Sequence, residues 1–218
     1  MHMKTYLIFD LDGTLLDTID DLANAVNYAL HKLEFPTHTL TSYRGMVGNG
    51  ARKLIERALP EDMRSTQIVD SALALFKEFY DEHCCEHTMP YPGIVDLLTV
   101  LTEQGVNLAV TSNKYQEAVS KIIAHYFPKI NFRAVLGNRD GVPRKPDPSV
   151  VFEALLECPT QKSDVLYIGD SAVDMETAKR AGIESIGVSW GFCPVKELEA
   201  SYADHIVTDP QQILALLG

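Results

Sequence analysis

The spacing of apolar positions changes twice along the chain, and the changes divide it. Residues 4–9 form a compact apolar run that stops at Asp10. Such a run suits a central parallel strand buried on both faces, with functional groups at its carboxyl end. From Asp17 the spacing becomes helical. Leu22, Val26, Ala29, Leu30 and Leu33 share one face, and Asp17 or Thr18 stands ready to cap the start. A glycine-rich turn follows, Gly45-Met46-Val47-Gly48-Asn49-Gly50. Leu54, Ile55 and Leu59 then predict a second helix, and Ile68, Ala72, Leu75, Phe76 and Phe79 a third. Residues 17–88 thus read as all-helical, with no strand-like run.

Beyond Pro90 and Pro92, strands alternate with helices. Ile94, Leu97, Leu98 and Leu101 line a helix that Gly105 stops. Residues 106–110 predict a strand, 115–126 a helix, 132–136 a short strand and 137–148 a long loop. Residues 150–156 predict a helix, 165–168 a strand, 173–181 a helix and 185–188 a strand. Alternation of this kind is solved by a parallel sheet with crossover helices. The expected fold is α/β: a doubly wound, mainly parallel, Rossmann-like sheet from residues 1–16 and 89–218, interrupted after its first strand by a helical insert, residues 17–88.

Composition narrows the function classes. Of the 218 residues, 46% are hydrophobic and 22% charged, enough to bury a core without disulfides or a structural metal. Nineteen Lys and Arg against thirty Asp and Glu leave a net charge of −11, which argues against nucleic-acid or anionic-membrane partners. A small anionic substrate stays open if a metal or a local cation reverses the field at one site. Cys84, Cys85, Cys158 and Cys193 form no paired CxxC motifs, and the adjacent pair is a poor disulfide framework, so reduced thiols and a cytoplasmic protein are expected. The first apolar run is too short for a signal peptide, and no segment approaches the ~18 apolar residues of a membrane span.

Each predicted strand ends in polar residues, and in doubly wound sheets ligands bind at that edge. Asp10 and Asp12, two apart on extended chain, project to one side, and Gly13 permits a sharp turn. The next strand ends in Thr111-Ser112-Asn113, the long loop delivers Lys145, and the strand at 165–168 ends in Gly169-Asp170, with Asp174 following. Acids gathered on one rim repel, by about 4 kcal/mol for unit charges ~4 Å apart at an effective dielectric of ~20. A divalent cation and one fixed ammonium relieve that repulsion, and oxygen ligands suit Mg²⁺. Asp10 is then placed to attack phosphorus and form an aspartyl-phosphate. Asp12, under like-charge pressure, can donate a proton to a leaving alcohol and later activate water. Thr111, Ser112 and Lys145 are the expected donors to the non-bridging oxygens.

In order, Asp10-Leu11-Asp12-Gly13-Thr14, Thr111-Ser112-Asn113, Lys145 and Gly169-Asp170 with Asp174 resemble the four signature motifs of the haloacid-dehalogenase-like phosphatases. The resemblance spans essentially the whole chain, and the helical insert resembles their cap domain. It implies that Asp10 is nucleophile and metal ligand, that Asp12 is acid/base with its backbone carbonyl on Mg²⁺, and that Asp170 is the third protein ligand. Asp174 would hold metal-bound water or Lys145. Thr14, Ser112 and Asn113 would touch substrate. The dehalogenases lack the second acid, so Asp12 points to phosphate rather than carbon–halogen chemistry.

Within that family, residues 10–17 (DLDGTLLD), Gly48-Asn49-Gly50, 111–114 (TSNK) and 141–148 (GVPRKPDP) resemble the phosphoglycolate phosphatases. The implied substrate is a small anionic phosphorylated metabolite, 2-phosphoglycolate first, turned over by a monomer or homodimer. Arg44, Gly48 and Asn49 would close over it, with Arg44 on its distal carboxylate, unless Gly48 to Gly50 simply turns one helix into the next. Pyrophosphatases, nucleotidases and phosphosugar mutases share the chemistry. Phosphonate hydrolases replace the second acid, and phosphoacceptor signalling domains place the acceptor after a later strand and lack such an insert.

Plainer roles compete for several residues. Thr111 or Ser112 could cap the following helix, Lys145 could be a solvated loop cation, and Asp174 could serve a helix macrodipole. His83-Cys84-Cys85-x-His87 fits no strong zinc template and reads as a helix end beside a hinge. Hinges are expected near residues 16–18 and 86–90. His2, His31, His38, His125 and His205 are scattered and carry no assigned role. Trp190-Gly191-Phe192 reads either as packing or as a loop near the site.

Overall fold

The computed structural model describes residues 3–218, so His2 lies outside the described residues. The chain opens with β1 (Tyr6–Phe9) and β2 (Leu16–Asp17), then runs through four helices: α1 (Ile19–Lys32), α2 (Leu40–Tyr43), α3 (Ala51–Ala58) and α4 (Thr66–His83). β3 (Met89–Pro90), α5 (Ile94–Glu103), β4 (Asn107–Tyr115), α6 (Gln116–Tyr126) and β5 (Ala134–Asn138) follow. Then come α7 (Ser149–Glu157), β6 (Val165–Gly169), α8 (Ala172–Ala181), β7 (Glu184–Val188), α9 (Val195–Ala200) and β8 (His205–Val207). A 3₁₀ turn, Pro210–Leu216, ends the chain.

The main sheet has the order β5-β4-β1-β6-β7-β8, with every pairing parallel. β1 is fully buried because it has a strand on each side and helices on each face. Its side chains alternate between two cores. Leu7 and Phe9 enter a large cluster with α5 and α6, while Tyr6 and Ile8 enter a smaller one with α7 and α8. The large cluster continues into the insert through Leu22, Val26, Phe76 and Tyr80. The chain leaves β1 towards β4 but leaves β6 towards β7, so a crevice opens between the carboxyl ends of β1 and β6.

Three features differ from the sequence reading. Leu16 and Asp17 pair antiparallel with Pro90 and Met89, so a two-stranded ribbon stands where the insert leaves and rejoins the sheet. Two-residue strands are too short to show any period, and Asp17 therefore reads as part of a helix start. β4 runs on to Tyr115, which the apolar spacing assigns to the following helix. The short elements after β7, α9 and β8, carry too little pattern to be predicted at all; Ile206 of edge strand β8 is 36% exposed.

The start of α1 divides the capping roles. Asp17 accepts from the Ile19 amide at 3.3 Å, while the Thr18 hydroxyl turns to Asp12. One turn on, buried Asp21 accepts from the amides of His87 (2.9 Å) and Thr88 (2.8 Å) and from the Thr88 hydroxyl (2.7 Å). Tyr126 donates to the Thr88 carbonyl at 2.6 Å. The insert's exit is thus pinned to its entry. His83 pairs with Glu86 at 2.7 Å, and the Cys84 and Cys85 sulfurs lie 3.8 Å apart. α4 ends at His83 with Cys84 as its C-cap, so the His83-Cys84-Cys85-x-His87 stretch begins at a helix end.

Candidate active site

Asp10 follows β1 directly, its amide held by the Ile168 carbonyl of β6 at 2.8 Å. The chain then turns so tightly at Gly13 (φ +84°) that a Cβ there would sit 2.2 Å from an Asp170 carboxylate oxygen. Only glycine lets the loop press against β6 in this way. On the other side of Asp170, the Phe192 amide donates to its carboxylate at 2.6 Å, and a Cβ on Gly191 would lie 2.3 Å from the Asp170 Cβ. Trp190 completes this wall by donating its indole N–H to the Thr14 carbonyl at 3.0 Å. The loop 190–192 therefore builds the site. Its signal in the sequence is its position just past the carboxyl end of another strand.

Lys145 is buried beneath this floor. Its ammonium lies 2.8 Å from Asp10, 2.8 Å from Asp174, 3.1 Å from the Thr111 carbonyl and 3.1 Å from the Tyr167 hydroxyl. An ammonium has three hydrogens, so these acceptors share them. Burial alone would lower the pKa of Lys145, but Asp10 and Asp174 outweigh it and hold the ammonium charged well above its ordinary range. Asp174 does two jobs. It is the acid of a capping box with Ser171 at the start of α8, and its other oxygen binds Lys145.

The carboxylates outnumber that one ammonium. Oxygens of Asp10, Asp170 and Asp174 all lie within 4.8 Å of one another. Burial, then the neighbouring Asp174, pushes Asp10 up to about 7 against the pull of Lys145. Burial, Asp174 and Asp10 raise Asp170 well above the usual carboxylate range. Hard oxygen donors in negative-charge excess fit Mg²⁺. Both Asp174 oxygens are bonded, by Ser171 and Lys145, whereas protein donors hold one oxygen each of Asp10 and Asp170. Asp12 stands outside the cluster. The Thr18 hydroxyl (2.7 Å) and the Lys114 ammonium (3.0 Å) both hold one oxygen of its carboxylate, Oδ1.

The end of β4 contributes by losing register. Thr111 pairs with Leu136 and Tyr115 with Asn138, so four steps on β4 match two on β5 and the chain bulges over residues 112–114. Ser112, Asn113 and Lys114 turn into a cavity of about 420 Å³ that Asp10, Asp12 and Asp170 also line. Thr111 does not follow them. Its fully buried hydroxyl lies 2.9 Å from Tyr167, so the expected donor at this edge is the hydroxyl of Ser112 instead. Adjacent residues on a strand face opposite ways. Thr14 is likewise turned from the cavity. It is fully buried, and its hydroxyl has no hydrogen-bond partner among the described residues.

From the insert, Arg44, Gly48 and Asn49 all line the same cavity, so the glycine turn faces the site. It is tied down twice. Asn113 donates to the Gly48 carbonyl at 3.0 Å, and Arg57 donates to Met46 (2.7 Å) and to the Asn49 side chain (2.6 Å). Asn113 also bonds the Lys145 backbone in both directions, so its amide clamps three segments together and is not a free substrate donor. Arg44 remains exposed at the rim. Arg57 and Tyr80 carry no motif assignment, and Lys114 appears only as the last residue of the 111–114 stretch, without a role. Tyr80 of α4 meets Lys114 at 2.8 Å, a contact between segments far apart in the chain that no local pattern announces.

Comparison with known proteins shows the family. The haloacid dehalogenase-like hydrolase family matches residues 7–188. A phosphoglycolate phosphatase of Pseudomonas putida is 34% identical over 212 residues, 95% of this chain and 78% of its own length. One from Mesorhizobium japonicum is 34% identical over 202 residues, covering 91% of this chain and 89% of its own. A structure from Lactobacillus delbrueckii subsp. bulgaricus, provisionally described as a phosphoglycolate phosphatase, superposes with a TM-score of 0.91 at 32% identity, over 99% of this chain and 98% of that one. The chain belongs to the haloacid dehalogenase-like hydrolases.

Proposed function

From that membership and the geometry of the floor, we propose that the protein is a Mg²⁺-dependent phosphomonoesterase acting through an aspartyl-phosphate on Asp10, with 2-phosphoglycolate its first candidate substrate. The carrying observation is Asp10 at the crevice between β1 and β6, fixed by Lys145 at 2.8 Å, with Asp12 facing the same cavity. Relatives named as phosphoglycolate phosphatases supply the substrate candidate.

Lys145 orients one Asp10 oxygen, leaving the other to bond phosphorus as the bond to the leaving oxygen breaks. Asp12 gives its proton to that oxygen. Water then attacks phosphorus, returns a proton to Asp12 and frees Asp10 and phosphate. Lys114 and Thr18 hold the Asp12 carboxylate in place between these transfers. Ser112 donates to the phosphoryl oxygens. Asp10, Asp170 and the Asp12 carbonyl would hold Mg²⁺, which would supply positive charge to the phosphoryl oxygens. Residues 17–88 act as a cap hinged on the β2–β3 ribbon, and Arg44 reaches the substrate's distal carboxylate from the rim.

Phosphate release from a panel of small esters and pyrophosphate, with Mg²⁺ and with chelator, tests this on wild type and Asp10→Asn. Metal-dependent release lost in the variant is expected. Release that survives Asp10→Asn overturns the aspartyl-phosphate. Arg44→Ala should raise KM for 2-phosphoglycolate and spare a neutral ester, and equal loss on both removes Arg44 from the site.

A further inference from the structure

Asp12 is held by one carboxylate oxygen. Its Oδ1 accepts from the Thr18 hydroxyl at 2.7 Å and from the Lys114 ammonium at 3.0 Å. Oδ2 is then the oxygen that carries a proton to a leaving group, and its aim depends on what fixes Oδ1. A general acid works at hydrogen-bond reach, ~2.6–3.2 Å, and a misplacement of ~1 Å can cost ~100-fold.

Lys114 fixes Oδ1 only if its own flexible four-carbon stem is held. Its amide donates to the Ser112 hydroxyl at 3.1 Å, which sets the backbone. Its ammonium has a second partner, the hydroxyl of Tyr80, 2.8 Å away and 34 residues distant in sequence, on α4 of the insert. The centre of the Tyr80 ring is farther, at 4.7 Å, so the hydroxyl makes the contact. Tyr80 itself has no room to swing. It is fully buried, stacked on Phe76 with centroids 5.2 Å apart and planes at 11°, and edge-on to Tyr115 at 6.5 Å. A phenylalanine would pack this ring equally well. The hydroxyl adds a buried polar group, and Lys114 is the partner it meets.

Resting on the phosphomonoesterase reading, we propose that Tyr80 is a positioning residue for Asp12: through Lys114 it fixes Oδ1 and so aims Oδ2 at the leaving oxygen. Tyr80 borders the cavity but is closed to solvent, so its hydroxyl acts through Lys114. The step is unchanged. The proton passes from Oδ2 to the leaving oxygen as that oxygen parts from phosphorus and Asp10 bonds it.

The test is whether losing the Tyr80 hydroxyl is felt according to the leaving group's need for a proton. 2-Phosphoglycolate and ethyl phosphate release strongly basic alkoxides unless these are protonated. Acetyl phosphate and p-nitrophenyl phosphate release weakly basic anions that depart without a proton. With Mg²⁺ present, kcat/KM reports events up to that departure, not the later attack of water. In Tyr80→Phe it should fall at least tenfold for the alkyl esters, with the loss in kcat, and less than threefold for the activated pair. Lys114→Met should show the same split, and adding Tyr80→Phe to it should cost less than a further twofold. Equal losses on alkyl and activated substrates, or no loss on either, overturn the inference and leave the phosphomonoesterase standing. A full further loss in the double variant overturns it too, because the two side chains then act separately. If Lys114→Met does not fold, the split in Tyr80→Phe decides alone. No release from any alkyl ester by the wild type overturns the phosphomonoesterase reading and the inference with it.

Discussion

The sheet side of the cavity holds its side chains by charge and hydrogen bonds, while the insert side holds them by burying apolar faces. Lys145 sits among Asp10, Asp174, Tyr167 and the Thr111 carbonyl, and each partner would be a buried polar group in trouble without it. On the insert side, Leu54, Phe76 and Tyr80 are almost completely buried in a continuous core, and polar bonds cross to the sheet side only at scattered points, among them Lys114 to Tyr80, Asn113 to Gly48, Tyr115 to Asp81, Thr18 to Asp12 and Tyr126 to Thr88. Polar networks are directional and fail when one member is lost. Apolar packing is forgiving of identity so long as volume is kept. A floor built the first way suits chemistry at one atom, and an insert packed the second way tolerates changes of side chain.

The largest expected effect tests the floor. Lys145→Ala leaves three clustered carboxylates without their ammonium and should cost about 3–5 kcal/mol, read by urea denaturation in chelator. A loss below about 1 kcal/mol would show that packing, not charge, holds the floor. Next in size is the cation. Adding Mg²⁺ at about 100 times its Kd should stabilise the wild type by about 2.7 kcal/mol, and Asp170→Asn should remove most of that thermal shift. An equal shift in the variant would place the cation elsewhere.

The joint between the regions comes third. Asp21→Ala strips the acceptor from the His87 and Thr88 amides and should cost about 1–3 kcal/mol. Amide exchange should quicken at residues 87–88 before it does in β1, and uniform quickening would mean that the insert does not open on its own. The smallest effect lies far from both walls. Glu184 accepts from Lys4 and from His205, which hold its carboxyl below the usual range, the Lys4 hydrogen bond being the larger cause. Its stabilisation is present above the unfolded carboxylate pKa and is lost as pH falls through the lower folded one. Glu184 is 36% exposed, so Glu184→Gln should cost under about 1 kcal/mol near neutral pH and less still in acid. A cost that grew in acid would reverse the sign.

Much of the floor is legible in the sequence alone. Asp10, Asp170 and Lys145 are polar residues at the ends of apolar runs or in the loop between them, and a doubly wound sheet gathers such ends on one edge. Thr111 shows where that reasoning stops. Two neighbouring hydroxyls look equivalent in sequence, but strand alternation and the bulge send Ser112 to the cavity and Thr111 to Tyr167. The ribbon of β2 and β3 has no sequence signature because two residues have no period. Trp190 to Phe192 cannot be placed from local pattern because their partners, Thr14 and Asp170, are remote in sequence.

By itself the sequence determined the alternation of strands and helices, the helical insert and the family, because those rest on local spacing and on short motifs. Tertiary structure alone decided which wall each side chain joins: the pairing of Lys114 with Tyr80 and Asp12, and the clamp of Asn113 on the glycine turn. The reason is physical. Periodicity says which face of an element is buried, but the meeting of two faces depends on crossover path, register and bulge, and those are settled only when the whole chain packs.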